Sequence, residues 1–495
     1  MQISTLFGGA GTGKTRYLIS DIERVVQEGT TPNDITYVSF TKAAVQEAIN
    51  RVLAINSFDR ADFKSFSTIH SACFKALSLK RDSIITEDHL NELSEDIGFK
   101  LSNNILESVY TLPKGDLALQ LDNLARLKLM PLRAMYDSLG IEAEFSEIEY
   151  IVDKYNLYKK RNSLLDFTDI LQLYLKEGMP LGTTAFYVDE AQDLNTLQWK
   201  VVEKMAAYSE YLMVAGDDDQ AIYQWSGADV DYFLDFADKS KKIILDKSYR
   251  CKSVIRDFAF SIVKKLSRRE NKTYAPICEG GSIEYYNNLV DADLSEGQWK
   301  ILVRNNYLQK KVISFCKDKG YFYNSIYDNK KSLIKALICY EDLKKNKGVD
   351  VKEFMKMLEY TTNNSNNIKY ILTEKFKGDK LYIQDLNALN VSLPLDTAWF
   401  DTFQYVPYED ILYIRAMLRQ GEKLREEPRI TIESIHASKG TEAENVLLLT
   451  DISKKTFQGM QRFQDPELRC QYVAVTRAKN KLIIINPESK YSYEV

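Results

Sequence analysis

An α/β fold is predicted by three apolar stretches, each ending in a chemically marked loop. Residues 1–7 (MQISTLF) alternate toward an apolar strand and lead directly into GGAGTGKT at 8–15, ahead of an amphipathic stretch over 16–26. Residues 185–188 (AFYV) read as a buried strand ending in acids. Residues 211–215 (YLMVA) read as another, stopped by Gly216 and three aspartates. Open α/β sheets bind ligands just beyond the carboxyl ends of such strands.

The first loop is a P-loop in the strand, loop and helix context that it requires. Gly8, Gly11 and Gly13 let backbone N–H groups wrap a phosphate without Cβ clashes, and the following helix adds the positive end of its dipole. Lys14 has the reach for the β- and γ-phosphates, and the Thr15 hydroxyl suits magnesium. The candidate nucleotide cradle is therefore Gly8, Gly9, Ala10, Gly11, Thr12, Gly13, Lys14, Thr15 and Arg16.

In VDEAQD (188–193), Asp189 is placed to hold the magnesium shell and Glu190 to activate the attacking water as general base. A lone Asp-Glu pair equally suits two acids closing a strand at the surface; the P-loop in the same chain decides for the nucleotide site. In GDDDQAIYQW (216–225), Gln220 falls in the loop beyond the third strand, where it can sense a phosphate. Tyr223 and Trp225 offer flat faces on which bases stack, at about 1–3 kcal/mol per base. Taken alone, that segment reads equally as a surface loop with a buried tryptophan. Lys14 and Asp189 lie 175 positions apart, more than a minimal phosphate-binding domain needs, so a segment is inserted between them.

Composition bounds the rest. At 495 residues, 45% hydrophobic and 27% charged, the chain is an ordinary globular protein of two to four domains. No apolar run reaches the roughly 18 residues of a membrane span and no leader-like N-terminus is present, so a cytoplasmic location away from membranes is expected. Six scattered cysteines and three histidines argue against disulfides and a zinc site. A net charge of -4 excludes a generally basic coat, so nucleic-acid binding needs a local basic groove and stacking.

The order of motifs resembles the UvrD/Rep/PcrA-like family of superfamily 1 DNA helicases. The segments are GGAGTGKT (8–15), SFTKAA (39–44), STIHS (67–71), DFTDIL (166–171), VDEAQD (188–193) and GDDDQAIYQWSGA (216–228), then SYRCKSVI (248–255), ILVRNN (301–306), IHASKGTE (435–442) and YVAVTRAK (472–479). The resemblance implies ATP and Mg2+ as cofactors, Gln220 as the γ-phosphate sensor, and Arg250 and Arg477 as arginines stabilising phosphoryl charge. It further implies Tyr249 as the ring stacked on the ATP base and Glu442 as an acid near the ribose and phosphates. Phe40, Thr41, His70, Tyr223, Trp225 and His436 are similar to the family's single-strand contacts.

Four departures stand out. Only seven residues precede Gly8, so the family's upstream glutamine segment has no counterpart here and selectivity for adenine is left open. Ser226 replaces the arginine that follows the motif tryptophan, and Thr441 and Ala443 flank Glu442 where larger apolar residues are usual. A short stretch between the last two motif blocks implies a reduced accessory domain.

The expected organisation is two RecA-like P-loop motor domains, each with a mainly helical accessory insertion. The first motor takes 1–77 and 163–242, with an insertion at 78–162 whose residues Ile105, Leu106, Val109, Tyr110, Leu117, Leu119, Leu121 and Leu124 follow helical spacing. The second motor takes 243–344 and 427–495, with 345–426 as its insertion; 243–245, 301–303, 446–449 and 482–485 are its expected strands. The resemblance implies an ATP-dependent single-stranded DNA translocase and helicase moving 3′ to 5′, with single strands and duplex–single-strand junctions as partners. The runner-up is a DNA-stimulated ATPase that displaces proteins from single strands with little unwinding. Only 18 residues follow Arg477, too few for a nuclease domain there.

Overall fold

The computed structural model describes residues 1–495 except 40–41, 56–58, 103–111, 363–364, 392, 394 and 495. The chain divides into two compact units: Met1–Glu279 with Arg462–Val473, and Gly280–Gln461 with Ala474–Val495. No helix among the described residues is long and apolar enough to cross a membrane.

The first unit is built on β1 (Gln2–Phe7), β2 (Ile35–Ser39), β3 (Phe66–Thr68), β4 (Ala185–Asp189), β5 (Tyr211–Gly216) and β6 (Lys241–Ile244), in the order β3-β2-β4-β5-β1-β6. Every neighbouring pair is parallel. Parallel strands covered on both faces lose apolar/polar alternation, which is why 185–188 and 211–215 read as continuous apolar runs. Consecutive side chains enter opposite cores: Val38, Phe186 and Leu212 join Ile170, Leu171 and Trp199, whereas Tyr37, Tyr187 and Met213 join Leu18, Ile22 and Val52. Residues 243–245, expected to open the second motor, fall elsewhere: β6 pairs in register with Ser4–Phe7 of β1 and is the edge strand of the first sheet. Its exposed KKII pattern carried no sign of which sheet it joins.

The insertion at 78–162 is helical, with Glu87–Ile97, Lys114–Leu127, Leu132–Leu139 and Phe145–Arg161. Leu117, Leu121 and Leu124 sit in a separate core with Leu90, Ile148 and Ile151, and Leu119 packs against it. Ile105, Leu106, Val109 and Tyr110 lie outside the described residues. Polar bonds fasten this core to helix Phe167–Glu177: Arg126 and Lys159 both pair with Asp166 and Asp169.

The second unit contains β7 (Ser282–Tyr286), β8 (Trp299–Val303), β9 (Tyr323–Asn324), β10 (Val349–Asp350), β11 (Lys380–Leu381), β12 (Ile430–Ser434), β13 (Ala443–Leu449) and β14 (Ala478–Ile485). Six of them form a parallel sheet in the order β7-β14-β13-β8-β12-β9. The strands expected at 301–303, 446–449 and 482–485 are β8, β13 and β14. The 345–426 stretch adds helices and the antiparallel pair β10-β11, and its Phe354, Met357, Leu358 and Ile414 share one core with Ile301, Val303, Leu447 and Ile483 of the sheet.

Candidate nucleotide and nucleic-acid site

The P-loop leaves β1 at Gly8 and enters helix Lys14–Gln27 through Gly13. Gly11 (φ 71) and Gly13 (φ 83) occupy the left-handed region, which a side chain would strain. A Cβ on Gly9 would stand 1.9 Å from the Tyr274 ring, and one on Gly11 2.3 Å from Cβ of Arg250. No side chain caps the helix, so its first amides are left for an anion. The Lys14 ammonium is folded onto its own loop, donating to the carbonyl oxygens of Gly8 (3.0 Å) and Gly9 (3.5 Å). Thr12 Oγ1 donates to Gly9 O at 3.0 Å and braces the same turn. Arg16 is exposed.

Asp189 closes β4 beside the cradle. Its Oδ2 accepts from Thr15 Oγ1 (2.7 Å) and from the Tyr37 hydroxyl (2.8 Å). Burial, then the neighbouring Glu190, pushes the Asp189 carboxyl above its ordinary range, opposed by the bonds from Thr15 and Tyr37. A hydroxyl and a carboxylate oxygen in contact form the partial oxygen set that Mg2+ takes when phosphates and waters supply the rest. Glu190 follows with φ 54, a left-handed conformation that costs a non-glycine residue about 1–3 kcal/mol. Its Oε2 accepts from Gln192 Nε2 at 2.6 Å, and Gln192 Oε1 accepts from the amide of Asp217 at 2.9 Å. Gln192 is fully buried and bridges the ends of β4 and β5, a role that its place in VDEAQD did not reveal.

Beyond β5, Asp217, Asp218 and Asp219 are each 0% exposed. Sequence reading took them as a strand stop; they are the acidic half of a buried ion cluster with Lys272, Arg269 and Arg469, which it missed. Gln220, also buried, donates from Nε2 to Asp217 Oδ2 at 2.5 Å. Ala221 and Ile222 anchor the next turn in the core. Tyr223 and Trp225 are partly exposed, their rings 6.4 Å apart at 64°.

Three further segments of this unit brace the P-loop. Ser248 Oγ donates to Ala10 O (2.8 Å), Tyr249 N to Gly11 O (2.8 Å), and Ala10 N to the Tyr472 hydroxyl (3.2 Å), which also bonds Tyr274 (2.9 Å). These contacts bring Arg250 against Gly11. The Tyr249 ring is 55% exposed, with the Lys247 ammonium 5.5 Å from its centre. His70 meets Phe167 edge to face at 6.0 Å, and burial lowers its pKa to about 4. Phe40 and Thr41 lie outside the described residues.

In the second unit, His436 is buried just past β12. Arg477 is 0% exposed and donates from Nη1 to Thr441 O at 2.9 Å, while Ala443 N donates to Arg477 O at 3.0 Å. The backbone thus brings Arg477 and Glu442 together at the starts of β14 and β13. Glu442 pairs with Lys479 at 2.7 Å.

Residues 2–241 match the family described as UvrD/REP helicase N-terminal domain. The ATP-dependent DNA helicase PcrA of Staphylococcus aureus is 26% identical over 377 residues, covering 72% of this chain and 50% of the relative. PcrA of Bacillus subtilis is 29% identical over 384 residues with the same coverage. The chain therefore spans about half the length of the curated relatives it matches. A solved arterivirus nonstructural protein 10 helicase bound to DNA aligns over 98% of this chain and 61% of its own, at 10% identity and a TM-score of 0.34, too loosely to bear on the assignment.

Proposed function

We propose, from the premise that the chain is UvrD/Rep/PcrA-like and of superfamily 1, that it hydrolyses ATP at the P-loop and couples turnover to 3′-to-5′ movement along single-stranded DNA, separating duplexes at junctions. The observation that carries this reading is one short segment. The five positions from Gln220 to Trp225 join a buried amide in the nucleotide site to a pair of partly exposed aromatic faces.

In this reading the helix amides and Lys14 bind the triphosphate, Lys14 exchanging the Gly8 and Gly9 carbonyls for phosphate oxygens. Thr15 and Asp189 hold Mg2+, which would neutralise charge on the β- and γ-oxygens when bound. Glu190, its carboxylate held by Gln192, takes the proton of the attacking water. Gln220 reads the γ-phosphate; Arg250 and Arg477 stabilise the charge spread over the phosphoryl oxygens. Tyr249 supplies a stacking face for the base and Glu442 an acid near the ribose. Tyr223, Trp225, His70, His436, Phe40 and Thr41 are the proposed single-strand contacts; the insertions keep the bounds 78–162 and 345–426, and the first motor is extended to take in β6 and the remainder of the first compact unit, to Glu279 and over Arg462–Val473.

The test is the steady-state rate of ATP hydrolysis without nucleic acid and with single-stranded DNA, duplex DNA and single-stranded RNA of equal length. Stimulation by single-stranded DNA alone is expected; an unchanged rate with every polymer sinks the reading. A forked duplex then separates unwinding from protein displacement, because turnover without separated product favours the second.

A further inference from the structure

Lys272 lies outside the recognised motifs, and its side chain is fully buried. Its ammonium reaches one oxygen on each of three acids: Asp217 at 3.1 Å, Asp218 at 2.5 Å and Asp219 at 2.8 Å. The contact with Asp218 is a hydrogen bond, and those with Asp217 and Asp219 are close ion pairs. Arg269 forks Asp219 at 2.9 and 2.8 Å, the Glu270 amide donates to Asp218 at 2.8 Å, and Arg469 donates to the Asp218 carbonyl at 2.9 Å. Burial works against the lysine's charge, but Asp218, Asp219 and Asp217 together outweigh it and hold the ammonium well above its ordinary range.

A buried cluster of this kind is costly, and replacing such clusters by apolar residues often stabilises a fold. Its bonding points to a use. Asp217 spends one oxygen on Lys272 and the other on the Gln220 amide nitrogen, while its backbone N–H holds Gln192, which holds Glu190. The Asp217 carboxylate, paired with Lys272, offers only acceptor oxygens, so it fixes which end of the Gln220 amide faces it. A neutral group at that place can donate as well, and the amide is then free to turn over.

We infer that Lys272, acting through Asp217, is a positioning residue for ATP hydrolysis: it sets the orientation of Gln220. This rests on the functional reading above. A misplaced catalytic group costs on the order of 10²-fold in rate. Because the ion cluster sits behind Gln220, the loss belongs in kcat, with KM for ATP changed by no more than about twofold.

The experiment measures kcat and KM for ATP with saturating single-stranded DNA in Asp217→Asn, Lys272→Met and Gln220→Ala, and in Asp217→Asn and Lys272→Met each combined with Gln220→Ala. Expected is an approximately 10²-fold fall in kcat for each of the first two, with little further loss when Gln220 is already alanine. Unchanged kcat in Asp217→Asn, or an equal loss in both backgrounds, overturns the inference. Should Lys272→Met fail to fold, Asp217→Asn decides alone, because it leaves Lys272 paired with Asp218 and Asp219. Wild-type protein without DNA-stimulated turnover removes the functional reading and this inference together; stimulated wild type beside an unaffected Asp217→Asn removes only this one.

Discussion

In the two six-stranded parallel sheets, most of the candidate site residues stand at opposite ends of the strands. In the first, the P-loop, Asp189 and Gln220 follow the carboxyl ends of β1, β4 and β5. In the second, Glu442 and Arg477 precede β13 and β14, and only His436 stands at a carboxyl end, after β12. The carboxyl edge of a parallel sheet is where ligands are bound, aided by helix N-termini that leave amides unsatisfied. An amino edge has no such amides, and what it offers is a side chain: Arg477, aligned by the Thr441 carbonyl. The first sheet thus has an edge suited to receive an anion, a receptor edge, while the second aligns a buried arginine at the opposite end of its strands, and their strand orders differ. Their insertions differ too: the first keeps its own core and a polar fastening, whereas the second shares the core of its sheet.

The largest effect should come from the receptor edge. Lys14→Ala is expected to lower ATP turnover by about two to three orders of magnitude or more, as loss of a transition-state electrostatic contact does. The melting temperature should hold, since the ammonium bonds only carbonyls of its own loop among the described contacts. Turnover retained in a purified sample would sink the P-loop role and with it the contrast between the edges.

The contrast between the insertions is sharpened by two core truncations. Phe354→Ala should cost about 3–5 kcal/mol and Leu121→Ala about 2–5 kcal/mol, both side chains being 0% exposed. Hydrogen exchange separates them: Phe354→Ala should loosen β8 and β13, while Leu121→Ala should spare β1, β4 and β5 and leave DNA-free turnover unchanged. Loss of protection in the first sheet on Leu121→Ala would mean that the separate core is not separate energetically. A smaller loss follows for Trp225→Ala, about 1–3 kcal/mol of single-strand affinity with less effect on nucleotide affinity measured without DNA. Equal losses in both would return Trp225 to a packing role.

Legibility in the sequence follows the same physics. β4 and β5 were readable because strands buried on both faces are unbroken apolar runs, and β1 because it alternates and leads directly into a P-loop whose glycines and lysine phosphate binding fixes. β12, with its alternating ITIES, and the two-residue β9 left too little pattern to single out. β6 was placed in the wrong sheet because an exposed edge strand says nothing of its partner. Lys272, Arg269 and Arg469 were invisible for a different reason: an isolated cation in sequence looks like solvated surface, and only the fold reveals three acids around Lys272, Asp219 beside Arg269 and the Asp218 carbonyl against Arg469. Gln192 lay inside a quoted motif, yet its bridging of two strand ends is a tertiary fact.

The smallest effect concerns pH and returns to the receptor sheet. His70 is neutral in the folded protein at pH 7, burial having lowered its pKa to about 4 from an ordinary 6.5. Between those values the unfolded chain binds the proton and the folded one does not, so stability must rise with pH across that window. The contribution is complete above about pH 6.5 and is lost as pH falls toward 4. His70→Gln, which cannot titrate, should flatten the stability profile there while leaving it unchanged at pH 8. A phosphate close to His70 favours its charged form, so single-stranded DNA bound at this ring should raise the pKa read by NMR. An unmoved titration with DNA bound would place the backbone elsewhere and leave His70 as a packing partner of Phe167.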